Sequence, residues 1–253
     1  MEITGFTRTI LKHGKPDISE QVSKASRLFG KIEYQTVLQG QRKATTDHLY
    51  LDNLKEKIDK FNRDGLVFTP CQRSGFYQGF AHKHKEVKPG EPYYWFGAVT
   101  RTVEDGLIFK EAEAKNDSQT IGGLLGYPEC CTKYFSKTFS GNYDPVWCGH
   151  SDVVGEPEIN ILLRYFGIRI VSHLPCSPYC EGTLKIARER VDIANKIDPE
   201  TTEWVLEYLS SPMTWNSYHG VVEVDTPDFL GLTHTYPFMD KPRIIIWNKH
   251  SIG

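Results

Sequence analysis

Leu125-Gly126-Tyr127-Pro128-Glu129-Cys130-Cys131-Thr132-Lys133-Tyr134-Phe135 sets two adjacent thiols directly behind a proline and a glutamate. Proline is favoured at the first position of a helix and an acidic residue in its first turn, so this order predicts a helix starting at Pro128. Cys130 and Cys131 then fall at its third and fourth positions. A second stretch, His173-Leu174-Pro175-Cys176-Ser177-Pro178-Tyr179-Cys180, repeats the arrangement. Ser177 suits an N-cap and Pro178 a first helical residue, which puts Cys176 just before the cap and Cys180 in the first turn. Both pairs therefore sit where unpaired backbone N–H groups and the positive end of the helix dipole stabilise thiolates. Four thiolates around a divalent zinc or an oxidised iron–sulfur cluster leave a net negative assembly, for which two helix N-termini are a suitable seat. The expectation is one metal centre held by Cys130, Cys131, Cys176 and Cys180.

Outward from these motifs the pattern is α+β. Ile18, Val22, Ala25 and Phe29 recur at helical spacing up to Gly30, and Leu51, Leu54, Ile58 and Phe61 up to Gly65. Short β-rich runs follow at Leu66–Phe68, Tyr93–Thr100 and Leu107–Phe109, separated by Pro89-Gly90 and Asp105-Gly106 turn signals. They predict a small antiparallel sheet in the N-terminal half. Helical periodicity returns in a segment capped near Ser118, after Pro128, over Pro157–Phe166 and over Pro178–Ile197, with a short strand at Ile168–Val171. A helix over Pro199–Leu209 and strands at Val221–Val224 and Arg243–Trp247 complete the reading. Residues 1–110 make a helical and β-rich N-terminal region and 111–253 a cysteine-motif α+β region, unless the two are one continuous domain.

Composition bounds the function. A chain of 253 residues with 39% hydrophobic and 25% charged content buries a core without disulfide support. A net charge of −2 gives no overall attraction to phosphate backbones, so nucleic acid is unsupported as a partner, though not excluded. No stretch reaches the roughly 18 apolar residues that span a bilayer, and Met1–Lys12 has no apolar signal core, which together predict a cytoplasmic protein. In that compartment six cysteines read as metal ligands or catalytic thiols before disulfides.

Other residues carry weaker signals. Cys148-Gly149-His150, with Asp144 and Asp152 close by, is a possible second ligand set. His173 suits a ligand, a proton shuttle or a catalytic residue beside the centre, or else simply closes a strand end. Cys71 lies in Thr69-Pro70-Cys71-Gln72-Arg73-Ser74-Gly75-Phe76-Tyr77-Gln78-Gly79-Phe80, a candidate binding loop with Cys71 as a second catalytic candidate, or a bulged hairpin. Tyr93-Tyr94-Trp95-Phe96 offers stacking for a flat ligand, or alternating burial in a sheet. Gly122-Gly123-Leu124-Leu125-Gly126 lacks a phosphate-loop lysine and reads as helix–turn geometry.

The cysteine spacing differs from the paired Cys-x-x-Cys knuckles of zinc ribbons, and adjacent cysteines are expected to strain a tetrahedral zinc site. In spacing it resembles iron–sulfur proteins such as the epoxyqueuosine reductases with a Cys-Cys motif and the cysteine-rich subunits of heterodisulfide reductases. Leu125–Cys131 and His173–Cys180 further resemble a mostly archaeal family of unknown function with Leu-Gly-Tyr-Pro-x-Cys-Cys and His-x-Pro-Cys-x-x-x-Cys motifs, and Ser217–Pro227 a third, weaker segment of it. The resemblance covers the second half of the chain and implies no reaction. Three functions follow as expectations. The first is a metal-dependent enzyme, an oxidoreductase or sulfur-handling protein with an iron–sulfur cluster or zinc, acting on a small-molecule substrate such as a modified nucleobase and served by an electron donor. The second is a binding or scaffold module with structural zinc. The third is a metal-free thiol–disulfide relay.

Overall fold

The computed structural model describes residues 8–12, 18–75, 86–138, 155–161, 163–164, 167–211, 213–216, 221–225 and 229–234. Among the described residues it is a mixed α+β structure of seven α-helices and two antiparallel sheets. Contacts divide the chain into one unit of residues 31–137 and another of residues 1–30 and 138–253.

The 31–137 unit is built on a three-stranded sheet, β2 (Ala44–Tyr50), β4 (Tyr93–Thr100) and β3 (Val67–Gly75), in the order β2-β4-β3. Successive side chains of a strand point to opposite faces, so β4 contributes to two cores. Val99 and Trp95 join Val37, Leu49, Phe61 and Leu66 on one side, packed by α2 (Leu54–Arg63) and the C-terminal half of α1 (Ser19–Leu38). Ala98 and Phe96 join Ala44, Phe109, Leu124 and Leu125 on the other, packed by α3 (Val103–Lys115) and α4 (Ser118–Leu124). The aromatic run Tyr93–Phe96 is thus divided between the faces. Arg73 lies over the Tyr93 and Trp95 rings, 5.4 and 5.7 Å from their centroids.

Several elements differ from the sequence expectation. Helix α1 runs through Gly30 to Leu38, because Ile32 and Val37, both fully buried, continue its apolar stripe. Leu107–Phe109 is not a strand but part of α3. Thr102 caps that helix by accepting from the Asp105 N–H at 3.1 Å, and Glu104 and Asp105 complement its dipole. Strand β2 has no counterpart in the expected elements, and β3 extends well beyond Phe68 with a register shift between Pro70 and Gln72.

The turn into the first cysteine motif follows from Gly122 and Gly126. Helix α4 starts at the Asp117 cap, which accepts from the Gln119 and Thr120 N–H groups. It ends as Gly126 takes φ +71°, a left-handed conformation that glycine adopts without a Cβ clash, while Tyr127 N–H bonds Gly122 O at 2.8 Å. Helix α5 (Glu129–Thr138) then starts behind Pro128. A Cβ at Gly122 would stand 2.1 Å from Thr132 Cγ2, so the bare glycine is what admits the residue next to Cys131.

In the other unit, β1 (Arg8–Lys12), β5 (Met213–Asn216), β6 (Val221–Asp225) and β7 (Phe229–His234) form an antiparallel sheet in the order β1-β7-β6-β5. β6 meets the strand expected at Val221–Val224, while the one expected at Arg243–Trp247 lies outside the described residues. Helices α6 (Glu181–Ile197) and α7 (Pro199–Leu209) pack on each other and on a short 3₁₀ turn, Pro157–Ile159. Asp198 joins the helices, accepting from the Thr201 N–H at 3.0 Å and its hydroxyl at 2.7 Å. The helix expected over Pro157–Phe166 is not continuous among the described residues: a 3₁₀ turn covers Pro157–Ile159, and Asn160 is already extended. Ile168–Val171 is not a strand either. Ile168, Ile170 and Val171 are buried in irregular backbone, and the buried Arg190 donates to Ile170 O at 3.0 Å in place of a sheet partner.

Gly122→Ala should destabilise the protein by about 1–3 kcal/mol through overpacking, more than the gain in helix propensity returns. Thermal or urea denaturation checks it. In a Thr132→Ser background, which removes Cγ2, the same change is expected to cost far less.

Candidate metal centre

Cys130 and Cys131 occupy the first turn of α5, where Cys131 and Thr132 N–H both bond Pro128 O, at 2.9 and 3.0 Å. This is the placement the sequence predicts. The second pair differs in detail: Ser177 is not the N-cap. Residues 176–180 form a tight turn in which Cys180 N–H bonds Ser177 O at 3.2 Å, and Cys180 is itself the N-cap of α6, its carbonyl accepting from Leu184 N–H at 2.9 Å. The helix starts three residues later than Pro178 suggests because that turn uses Pro178 and Tyr179.

The Sγ atoms of Cys130, Cys131, Cys176 and Cys180 all lie within 4.8 Å of one another, and the adjacent pair Cys130 and Cys131 is separated by 3.9 Å. A zinc–thiolate bond of about 2.3 Å in a regular tetrahedron gives a sulfur–sulfur edge of about 3.8 Å. The expected strain of adjacent cysteines is therefore not met, since this pair already spans one edge. The four thiols are geometrically able to hold a metal ion. Their burial is unequal: Cys131 and Cys180 are buried, Cys176 is half-buried and Cys130 is exposed.

The second cysteine turn is braced from two sides. His173 and Thr183, 5% and 0% exposed, share a hydrogen bond of 2.9 Å between Nε2 and Oγ1, which closes the ten-residue span carrying both ligands. From the other side, Glu156 N–H donates to Pro178 O at 3.1 Å, and Gly155 comes so close that a Cβ there would stand 2.7 Å from that oxygen. Arg188 of α6 lies within 3.9 Å of Glu156 and 3.6 Å of Glu158, an exposed contact of small energetic weight. Neither Gly155 nor Thr183 stands out in the sequence. A glycine before Glu-Pro and a threonine within a helix carry no ligand signature, and only the folded backbone shows what they touch.

His173 is not among the clustered ligand atoms of the described residues, and its described role is the bond to Thr183. Cys71 is not among them either. It sits at the β3 register shift, its thiol 3.8 Å from Thr69 O and packed against the Ala44–Phe109 core. Burial pushes the Cys71 thiol up to about 11, against the smaller opposing effect of a backbone hydrogen bond at Ala98, so it is protonated at neutral pH. Nearby Glu113 is also raised, by burial. Cys148, His150, Asp144 and Asp152 lie outside the described residues. Among the described residues no helix is long and apolar enough to cross a membrane.

Comparison of the chain with family models, curated proteins and solved structures gave no match. The site's chemistry therefore rests on its own residues.

His173→Ala and Gly155→Ala should each weaken metal-ion binding about 10–100-fold, as loss of groups that hold ligands in place commonly does. Competition against a chromophoric chelator measures this. His173→Gln, whose amide reaches close to the Nε2 position, should recover part of the loss. The cobalt-substituted spectrum should stay that of four thiolates in all three variants; loss of a ligand band in His173→Ala would make His173 a ligand instead of a brace.

Proposed function

We propose that Cys130, Cys131, Cys176 and Cys180 hold a single zinc ion in a closed tetrathiolate site, and that this ion joins the two cysteine-bearing segments of a metal-stabilised α+β module. The observation that carries the reading is the compactness of the four sulfurs, all within 4.8 Å. A mononuclear tetrahedral ion asks for that spacing. A four-iron cluster places its cube between the thiolates and asks for sulfurs roughly 6 Å apart, beyond anything in this group. Zinc would supply charge neutralisation and cross-linking here. Four protein ligands fill its tetrahedron, leaving no position for water or substrate, as in structural sites. Ligands from two separate helix starts make metal binding and folding one process, because the ligand set does not exist in the unfolded chain.

The exposure of Cys130 favours a second reading. An exposed thiolate is one a small molecule or electron donor reaches, and iron in the same four thiolates would make the centre an electron-transfer or sulfur-handling site.

Metal and acid-labile sulfide analysis of protein purified without oxygen separates the two. One zinc per chain, no sulfide and a colourless protein are expected, with the zinc lost in Cys131→Ala. Iron without sulfide would move the account to the redox reading; iron with stoichiometric sulfide would refute the mononuclear site altogether. Chelation of the zinc is expected to lower the Tm.

A further inference from the structure

The four ligands differ in two respects that together give the site a direction of oxidation. The first is access. In the first segment Cys130 is exposed while Cys131 is 1% exposed; in the second Cys176 is half-buried while Cys180 is 6% exposed. Each segment therefore offers one outer and one inner sulfur, and a small oxidant arriving from solvent meets Cys130 first. The second is which sulfurs can bond. Cys130 and Cys131 are consecutive residues in a helical turn, with Cα atoms about 3.8 Å apart across their trans peptide. A disulfide usually has its Cα atoms about 4.4–6.8 Å apart, so closing this pair would strain the bond and distort the helix start. An oxidised Cys130 therefore finds its partner in the other segment, where the outer sulfur is that of Cys176, within 4.8 Å.

We propose that the centre is also a hydroperoxide-sensitive switch, in which Cys130 is oxidised, Cys176 resolves it as a disulfide, and the metal is released. The proposal rests on the metal reading above. In the first step the Cys130 thiolate attacks one peroxide oxygen; an S–O bond forms, the O–O bond breaks, and the departing oxygen takes a proton to leave as water. In the second, the Cys176 thiolate attacks the sulfenic sulfur; an S–S bond forms, the S–O bond breaks, and the leaving hydroxide is protonated to a second water. Two thiolates give up two electrons, which one hydrogen peroxide and two protons take up. Cys131 and Cys180 then remain as the only two thiolate ligands of the set, too few for a closed zinc site. The helix geometry that disfavours the adjacent disulfide thus directs oxidation across the site and couples it to loss of the ion.

The test treats the zinc-loaded full chain with hydrogen peroxide, follows zinc with a chromophoric chelator, and maps cysteines by differential alkylation and peptide mass spectrometry. Expected are one Cys130–Cys176 disulfide per chain, about one zinc released per disulfide, and recovery on adding dithiothreitol and zinc. Oxidation of Cys131 or Cys180 ahead of Cys130, an adjacent Cys130–Cys131 disulfide, sulfinate at Cys130 without a disulfide, or a disulfide that leaves the zinc bound would overturn the proposal. The metal content of the untreated chain separates the two claims. A chain that takes up no metal refutes the zinc reading, whereas wrong pairing in the zinc-loaded chain refutes the switch and leaves the zinc reading standing.

Discussion

Four sulfurs within 4.8 Å are the constraint on which the rest of the structure turns. As thiols they pack as small apolar groups; as thiolates they repel, and only a cation between them makes the arrangement favourable. The surrounding backbone is arranged to bring them this close. Pro128 starts α5 so that Cys130 and Cys131 fall in its first turn, and the 176–180 turn ends with Cys180 at the cap of α6. Each pair stands at the positive end of a helix dipole, which offsets part of the negative charge that a divalent ion leaves on four thiolates.

Behind each pair stands a glycine that admits a close neighbour: Gly122 under Thr132 in one segment, Gly155 against Pro178 in the other. Together with the His173–Thr183 bond, these contacts hold the ligand-bearing backbone in place in the folded chain. The exposed corner, Cys130, is also the sulfur that the proposed oxidation meets first.

Much of this was legible in the sequence because its signals are local. Proline and glutamate ahead of Cys130 announce a helix start, and the Tyr93–Thr100 run announces a strand, whatever the rest of the chain does. Two of the misreadings share one cause, an apolar run taken at face value. Leu107-Ile108-Phe109 looks like a strand, yet Phe109 is buried while Leu107 and Ile108 are exposed, and the Thr102 cap upstream decides for helix. Ile168–Val171 looks like a strand because it is apolar, but burial needed only one buried arginine to satisfy a carbonyl. Strand β2 was hidden for the opposite reason: Thr45, Thr46, Asp47 and His48 give no alternation, and the strand exists because β4 pairs with it along its whole length. The bracing residues Gly155 and Thr183 were not legible at all, since their role lies in contacts between parts of the chain well separated in sequence.

The central claim is one ion bound by four sulfurs, and X-ray absorption at the metal edge of the purified protein addresses it most directly. A single shell of four sulfurs at about 2.3 Å with no metal–metal scattering is expected. A short metal–metal vector would establish a cluster, and nitrogen or oxygen in the first shell would remove at least one of the four cysteines from the site; either result would contradict the claim.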